Sequence, residues 1–168
     1  MFEMGFDKRK SGITLLEILI AIAIAASLGA VLLSATQSIL PKAEAAKCMN
    51  NLKTLRTAFS SYVDDGWPQL PPGIALGSIK EQEWWLEKTK KDLQISEKDW
   101  LCPTLSRMLK GLPKSQRPRI HYLPTPFSGE PNKANTWPEM PWFIEIGNAH
   151  GGGNFLIRMK GDAEQAAQ

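Results

Sequence analysis

Between Ile13 and Leu33 the chain runs about 21 residues with a single ionisable side chain, Glu17. At 1.5 Å per helical residue that length crosses a bilayer core of about 30 Å. The run is rich in Ile, Leu and Ala and contains no Pro, so one continuous helix satisfies every backbone group without water. Lys8-Arg9-Lys10 precede it and predict a cytoplasmic N-terminus, with everything after about Ser34 outside the cytoplasm. A removable secretory signal fits poorly, because its apolar core is normally 7 to 15 residues long. A plain, unprocessed anchor is opposed by Glu17, whose charge costs about 2.5 to 3.5 kcal/mol within a spanning segment.

A buried carboxylate is tolerated when it is paired. A cut between Gly12 and Ile13 would convert a neutral amide into a cationic amine at the start of the helix. Ile13 and Glu17 share one helix face, so that amine and the carboxylate can pair within a chain or between neighbouring helices. On the residues alone a second reading stays open, in which Glu17 snorkels to the headgroups.

Gly12-Ile13-Thr14-Leu15-Leu16-Glu17-Ile18, behind a short basic leader, resembles the cleavage and methylation signature of type IV prepilins and type II secretion pseudopilins. The resemblance covers roughly residues 8 to 35. It implies cleavage at Gly12 by a prepilin peptidase, methylation of the new Ile13 amine, and pairing of Glu17, beside Thr14, with the N-terminus of an adjacent subunit. It further implies other pilins or pseudopilins, an inner-membrane assembly platform and membrane lipid as partners.

Beyond Leu33 the helical pattern continues. Ala45, Cys48, Leu52, Leu55, Phe59 and Tyr62 recur at steps of three and four, an apolar stripe suited to packing on a globular head, with Lys47, Lys53 and Arg56 towards solvent. Pro41 lies inside the pattern and predicts a kink. Asp64-Asp65-Gly66 predicts the stop. The segments expected are a leader over 1–12, a stem helix over 13–63 with its membrane span at 13–33, and a head over 64–168.

The head holds all six Trp and eleven of the twelve Pro. Ser78-Ile79-Lys80-Glu81 has capping-box spacing and predicts a helix to about Asp92, with Trp85 in the core. A shorter helix is predicted from Thr104 to Lys110, stopped at Gly111. Strands are predicted at Arg119–Leu123, Trp142–Ile146 and Phe155–Met159, the last two joined by a Gly-rich turn and hence antiparallel. The fold class is therefore α+β and pilin-like: a long kinked N-terminal helix packed on a small antiparallel sheet in a loop-rich head.

Other function classes find little footing. A net charge of +3 without a basic stripe predicts no nucleic-acid partner. Gly151-Gly152-Gly153 lacks the Lys-Ser/Thr of a phosphate loop. His121 and His150 with Cys48 and Cys102 match no zinc spacing, and Asp64 with Asp65 offer too few oxygens for calcium, so neither a metal nor a cofactor is expected. No nucleophile motif is present, and no enzyme activity is expected. The alternative function is a membrane-tethered minor pilin whose tryptophans grip a glycan or other substrate, although aromatics more often fill the core of such a head. Cys48 and Cys102, both extracytoplasmic in this topology, are either two buried thiols or a bridge closing a loop of about 55 residues, which stabilises by roughly 4 kcal/mol in the chain-entropy model.

The head is also loosely similar to pilin-like proteins common in planctomycete-type bacteria. The shared residues are Cys48 with Asn51-Leu52-Lys53, Cys102-Pro103, and His150 with Gly152 and Asn154; Lys160-Gly161-Asp162 stands where that family usually has Asp-Gly.

Overall fold

The computed structural model describes residues 13–127 and 138–166; Gly12, the basic leader and Trp137 lie outside them. The first helix, α1, runs Leu15–Phe59 with Pro41 inside it. The chain divides into two compact units, one ending at Leu40 and one spanning Pro41–Gln168.

In the first unit α1 contains a span, Leu15–Leu33, long and apolar enough to cross a membrane. None of it is buried: Leu15, Leu16, Ile22, Leu28 and Leu32 all stand exposed. An apolar surface of that extent on all sides requires lipid or neighbouring helices as its solvent.

In the second unit the predicted stripe packs into the core, with Ala45 half-buried at one end and Tyr62 buried at the other. Cys48, Leu52, Leu55 and Phe59 have no exposed surface, and burial of a side chain of the Leu or Phe kind stabilises by about 1.5–3 kcal/mol. The helix breaks after Phe59, and a single turn, α2 (Tyr62–Asp65), follows before Gly66 stops it at positive φ. Phe59 centres an aromatic cluster, packing edge-on against Tyr62, Trp100 and Phe143 and tilted against Trp67 and Trp85. Trp67, Trp85, Trp100 and Trp142 are all buried. Trp84 is half-buried against the same core.

Helix α3 (Ile79–Leu93) begins as its capping spacing predicts, with Ser78 Oγ accepting from Glu81 N at 3.1 Å. Glu81 reaches back to accept from Gly77 N. Helix α4 (Pro103–Met108) starts one residue earlier than predicted, with Pro103 in the first turn where its missing N–H costs nothing, and tightens into a 3-10 turn ending at Gly111. Further 3-10 turns at Glu97–Trp100 and Lys114–Gln116 carry no strong periodicity and were not predicted.

Four strands, β1 (Tyr122–Pro124), β2 (Pro141–Glu145), β3 (Phe155–Arg158) and β4 (Glu164–Gln165), form one antiparallel sheet in chain order. The first begins three residues later than predicted for a clear reason. Arg119 N and Ile120 N donate to Gln82 Oε1 on α3, at 2.6 and 3.3 Å, and His121 N donates to Trp100 O at 2.8 Å. With its donors taken by a side chain and a turn, that stretch has none left for a ladder. Strand β4, too short to announce itself, was also not predicted.

Lys53 and Arg56 lie on the partly exposed side of the helix, as expected, and both also reach the C-terminal segment. Lys53 pairs with Asp162 at 2.8 Å and Arg56 donates to Gly161 O, so both hold the C-terminal segment to α1.

Candidate functional site

Two places concentrate chemistry-bearing side chains, one in each unit. At the start of α1, Thr14 and Glu17 form a reciprocal cap. Glu17 N donates to Thr14 Oγ1 at 3.3 Å, while Glu17 Oε2 accepts from Thr14 N at 3.3 Å and from the Thr14 hydroxyl at 3.4 Å. A helix leaves its first four N–H groups unpaired, and this Thr-x-x-Glu arrangement satisfies two of them. The carboxylate is thereby held over the first turn, beside the favourable end of the helix dipole and on the amide of the Ile13–Thr14 bond. Ile13 is exposed.

In the second unit the core closes around a cluster of four side chains from four different elements. Cys48 projects from α1, Cys102 caps α4, Glu145 ends β2, and His150 lies in the loop joining β2 to β3. The two cysteines are paired sulfur to sulfur, with Cα atoms 5.1 Å apart. Cys102 Sγ stands 3.4 Å from His150 Nε2, which in turn stands 3.4 Å from Glu145 Oε1. Cys48, Cys102 and Glu145 are fully buried and the His150 side chain is nearly so.

The polar balance of this cluster is incomplete. Glu145 Oε2 accepts from Phe155 N at 3.3 Å, but Oε1 is buried without a hydrogen-bond partner, its approach to His150 being misdirected for one. Burial pushes the Glu145 carboxyl up to about 7, against the Phe155 N–H that lowers it. Burial also lowers His150, opposed by the charge of Glu44. The His150 ring packs on Phe155 with centroids 4.6 Å apart.

Neighbouring groups fix the frame. His121, expected to be no ligand, stands with Nδ1 3.0 Å from Cys102 N, from which it accepts, and 3.3 Å from Cys102 O. Burial keeps it below its ordinary pKa. Glu44 on α1 accepts from Thr104 Oγ1 at 2.9 Å and from Arg107 at 2.8 Å, and Asn51 Nδ2 donates to Leu101 O at 2.9 Å. These three contacts clamp the segment carrying Cys102 onto the helix carrying Cys48.

The Gly-rich loop positions His150 and receives the C-terminus. Gly153 has φ +109 and a Cβ there would sit inside Ala166 O. Gly153 N donates to Asn148 Oδ1 at 3.2 Å, and Gln165 Nε2 donates to Gly153 O at 2.9 Å. The connection between β2 and β3 spans residues 146–154, longer than the short turn expected from the sequence. Sequence spacing had no means of finding Glu145, since it is the last residue of an ordinary-looking strand.

The sequence matches the family described as the prokaryotic N-terminal methylation motif over residues 7–33. The chain therefore carries the type IV prepilin-like signature at the segment that holds Thr14 and Glu17. No curated protein and no solved structure matches it.

Proposed function

We propose that the chain is a structural filament subunit, a pseudopilin or minor pilin of a type II secretion or type IV pilus-like machine. In this reading a prepilin peptidase cuts between Gly12 and Ile13 and methylates the new amine. The apolar half of α1 then holds the subunit in a bacterial inner membrane with its head outside the cytoplasm. An assembly platform draws it into a filament with other pilins.

The observation that carries this reading is the position of Glu17. It is the one acidic side chain in the membrane-length span Leu15–Leu33, inside a matched methylation motif, and it is already turned onto the first turn by its bonds to Thr14. A new amine at Ile13 would arise within reach of that carboxylate, and a neighbouring subunit's amine would find it with no rearrangement of the helix. Opposite charges that meet only when two apolar helices stand at one offset select that offset over all others. The exposed aliphatic surface supplies the attraction and the ion pair supplies the register.

The head reads as a structural element of that subunit. Four of the six tryptophans are buried with no free face for a sugar ring, which weighs against the glycan-binding alternative; Trp84 is half-buried and Trp137 lies outside the described residues. Mass spectrometry of the chain recovered from cells with an active prepilin peptidase tests the proposal. Residue 13 carrying one methyl group is the expected N-terminus; an intact Met1 would overturn it.

A further inference from the structure

We propose that, in its dithiol form, the chain binds one zinc-type divalent cation through Cys48 Sγ, Cys102 Sγ, His150 Nε2 and Glu145 Oε1. The four donor atoms lie within 4.8 Å of one another. On a tetrahedral zinc with Zn–S of about 2.3 Å and Zn–N and Zn–O of about 2.0–2.1 Å, neighbouring sulfur and nitrogen donors stand about 3.5 Å apart, and nitrogen and oxygen about 3.4 Å. The separations from Cys102 Sγ to His150 Nε2 and from His150 Nε2 to Glu145 Oε1 are both 3.4 Å. Two edges of the tetrahedron are thus present without movement. Of the remaining four edges, the one between the sulfurs, as separate thiolates, must stand at about 3.8 Å, and the other three, each within 4.8 Å here, must settle at about 3.5 Å.

An independent observation points to the same centre. Glu145 is fully buried, one carboxylate oxygen is anchored by Phe155 N–H, and the other is aimed at the cysteines and His150 with no hydrogen-bond partner among the described residues. A buried, unpartnered carboxylate oxygen is costly, and a cation in front of it removes the cost. The backbone bond at Oε2 and the packing of the His150 ring on Phe155 are the supports that metal ligands ordinarily have behind them.

The donor set also selects the ion. Two thiolates and an imidazole are too soft for calcium or magnesium, and a single carboxylate does not alter that. All four positions come from the protein, three of them buried and the His150 side chain nearly so, which is the closed arrangement of a structural site. Binding releases the proton of each thiol as its Zn–S bond forms, together with any proton on Glu145, leaving a net charge of −1 at the centre. The disulfide and the metal use the same sulfur atoms, so the two states exclude one another.

The test uses the full-length chain in detergent, purified under reductant and titrated with Co²⁺ and then Zn²⁺. One Co²⁺ per chain is expected, with a sulfur-to-cobalt charge-transfer band and tetrahedral d–d bands that Zn²⁺ bleaches. The oxidised chain should show none of these. His150→Ala and Glu145→Gln should each weaken binding at least tenfold. Glu145→Gln replaces the carboxylate with a neutral group of the same shape, so it decides the matter even if the histidine variant loses its fold. Absence of the charge-transfer band in the dithiol chain would overturn the proposal, as would binding that both variants leave unchanged.

Discussion

Replacing Glu17 by Gln separates two roles that the carboxylate combines. The amide oxygen of Gln accepts the same bonds from Thr14 N and Thr14 Oγ1, so the cap survives while the charge is lost. Glu17→Ala removes both. Loss of a cap destabilises a helix start by about 1 kcal/mol, too little to unseat a helix held by a predominantly apolar span of 19 residues. Removing the charge should favour insertion, since an ionised residue there costs about 2.5 to 3.5 kcal/mol. Both variants should therefore reach the membrane at wild-type levels or above. Assembly should behave oppositely, because breaking an ion pair in apolar surroundings costs about 3–5 kcal/mol, a fall of a hundredfold or more in subunit association. The assay is membrane fractionation followed by cross-linking of incorporated subunits. Equal failure of Gln and Ala supports charge pairing. Normal incorporation of the Gln variant with failure of Ala would reduce Glu17 to a helix cap, and normal incorporation of both would refute the electrostatic account altogether.

The head offers further tests. Gly153→Ala should cost roughly 3 kcal/mol, combining a strained positive φ with the loss of the bonds that seat β4, and a lowered denaturant midpoint with loss of protease resistance at the C-terminus would report it. Phe59→Ala opens the centre of the aromatic cluster and should destabilise by about 3–5 kcal/mol, read by tryptophan fluorescence during urea unfolding. Reduction of the Cys48–Cys102 pair without metal should lower stability by up to about 4 kcal/mol, and zinc at a hundredfold excess over its dissociation constant should restore about 2.7 kcal/mol of it. Asp92, held below its usual pKa chiefly by Lys88, contributes stability that is present above the ordinary carboxylate range and fades as pH falls through the lowered value. Asp92→Asn should therefore flatten the acid side of the stability profile, measured by urea midpoints across that range.

What the sequence disclosed follows from how far each signal reaches along the chain. The span at Leu15–Leu33, the stripe from Cys48 to Phe59 and the Ser78–Glu81 cap are repeats or pairs within one or two helical turns, and each was legible. The start of β1 was not, because Gln82 lies on a separate helix and its side chain takes the donors of Arg119 and Ile120. The four-residue cluster was hidden for the same reason. Zinc spacings are recognised when two ligands sit in one turn, whereas only Glu145 and His150 are near one another here, and neither strand nor loop gives either a pattern.

The ties along the second half of α1 have a common direction. Glu44 holds α4, Cys48 meets Cys102, Asn51 holds Leu101, Lys53 holds Asp162 and Arg56 holds Gly161. An apolar stripe alone is permissive, since Leu52 and Leu55 would bury nearly as much surface with the helix turned slightly or slid along its axis. Directional bonds are not permissive: a shift of one residue breaks all five at once. Their separate energies are small where they are exposed, as for Lys53 with Asp162, and their joint effect is on specificity. The polar ladder along the second half of α1 fixes the head on that half of the helix at one setting, and the Cys48–Cys102 pair stands in the middle of it.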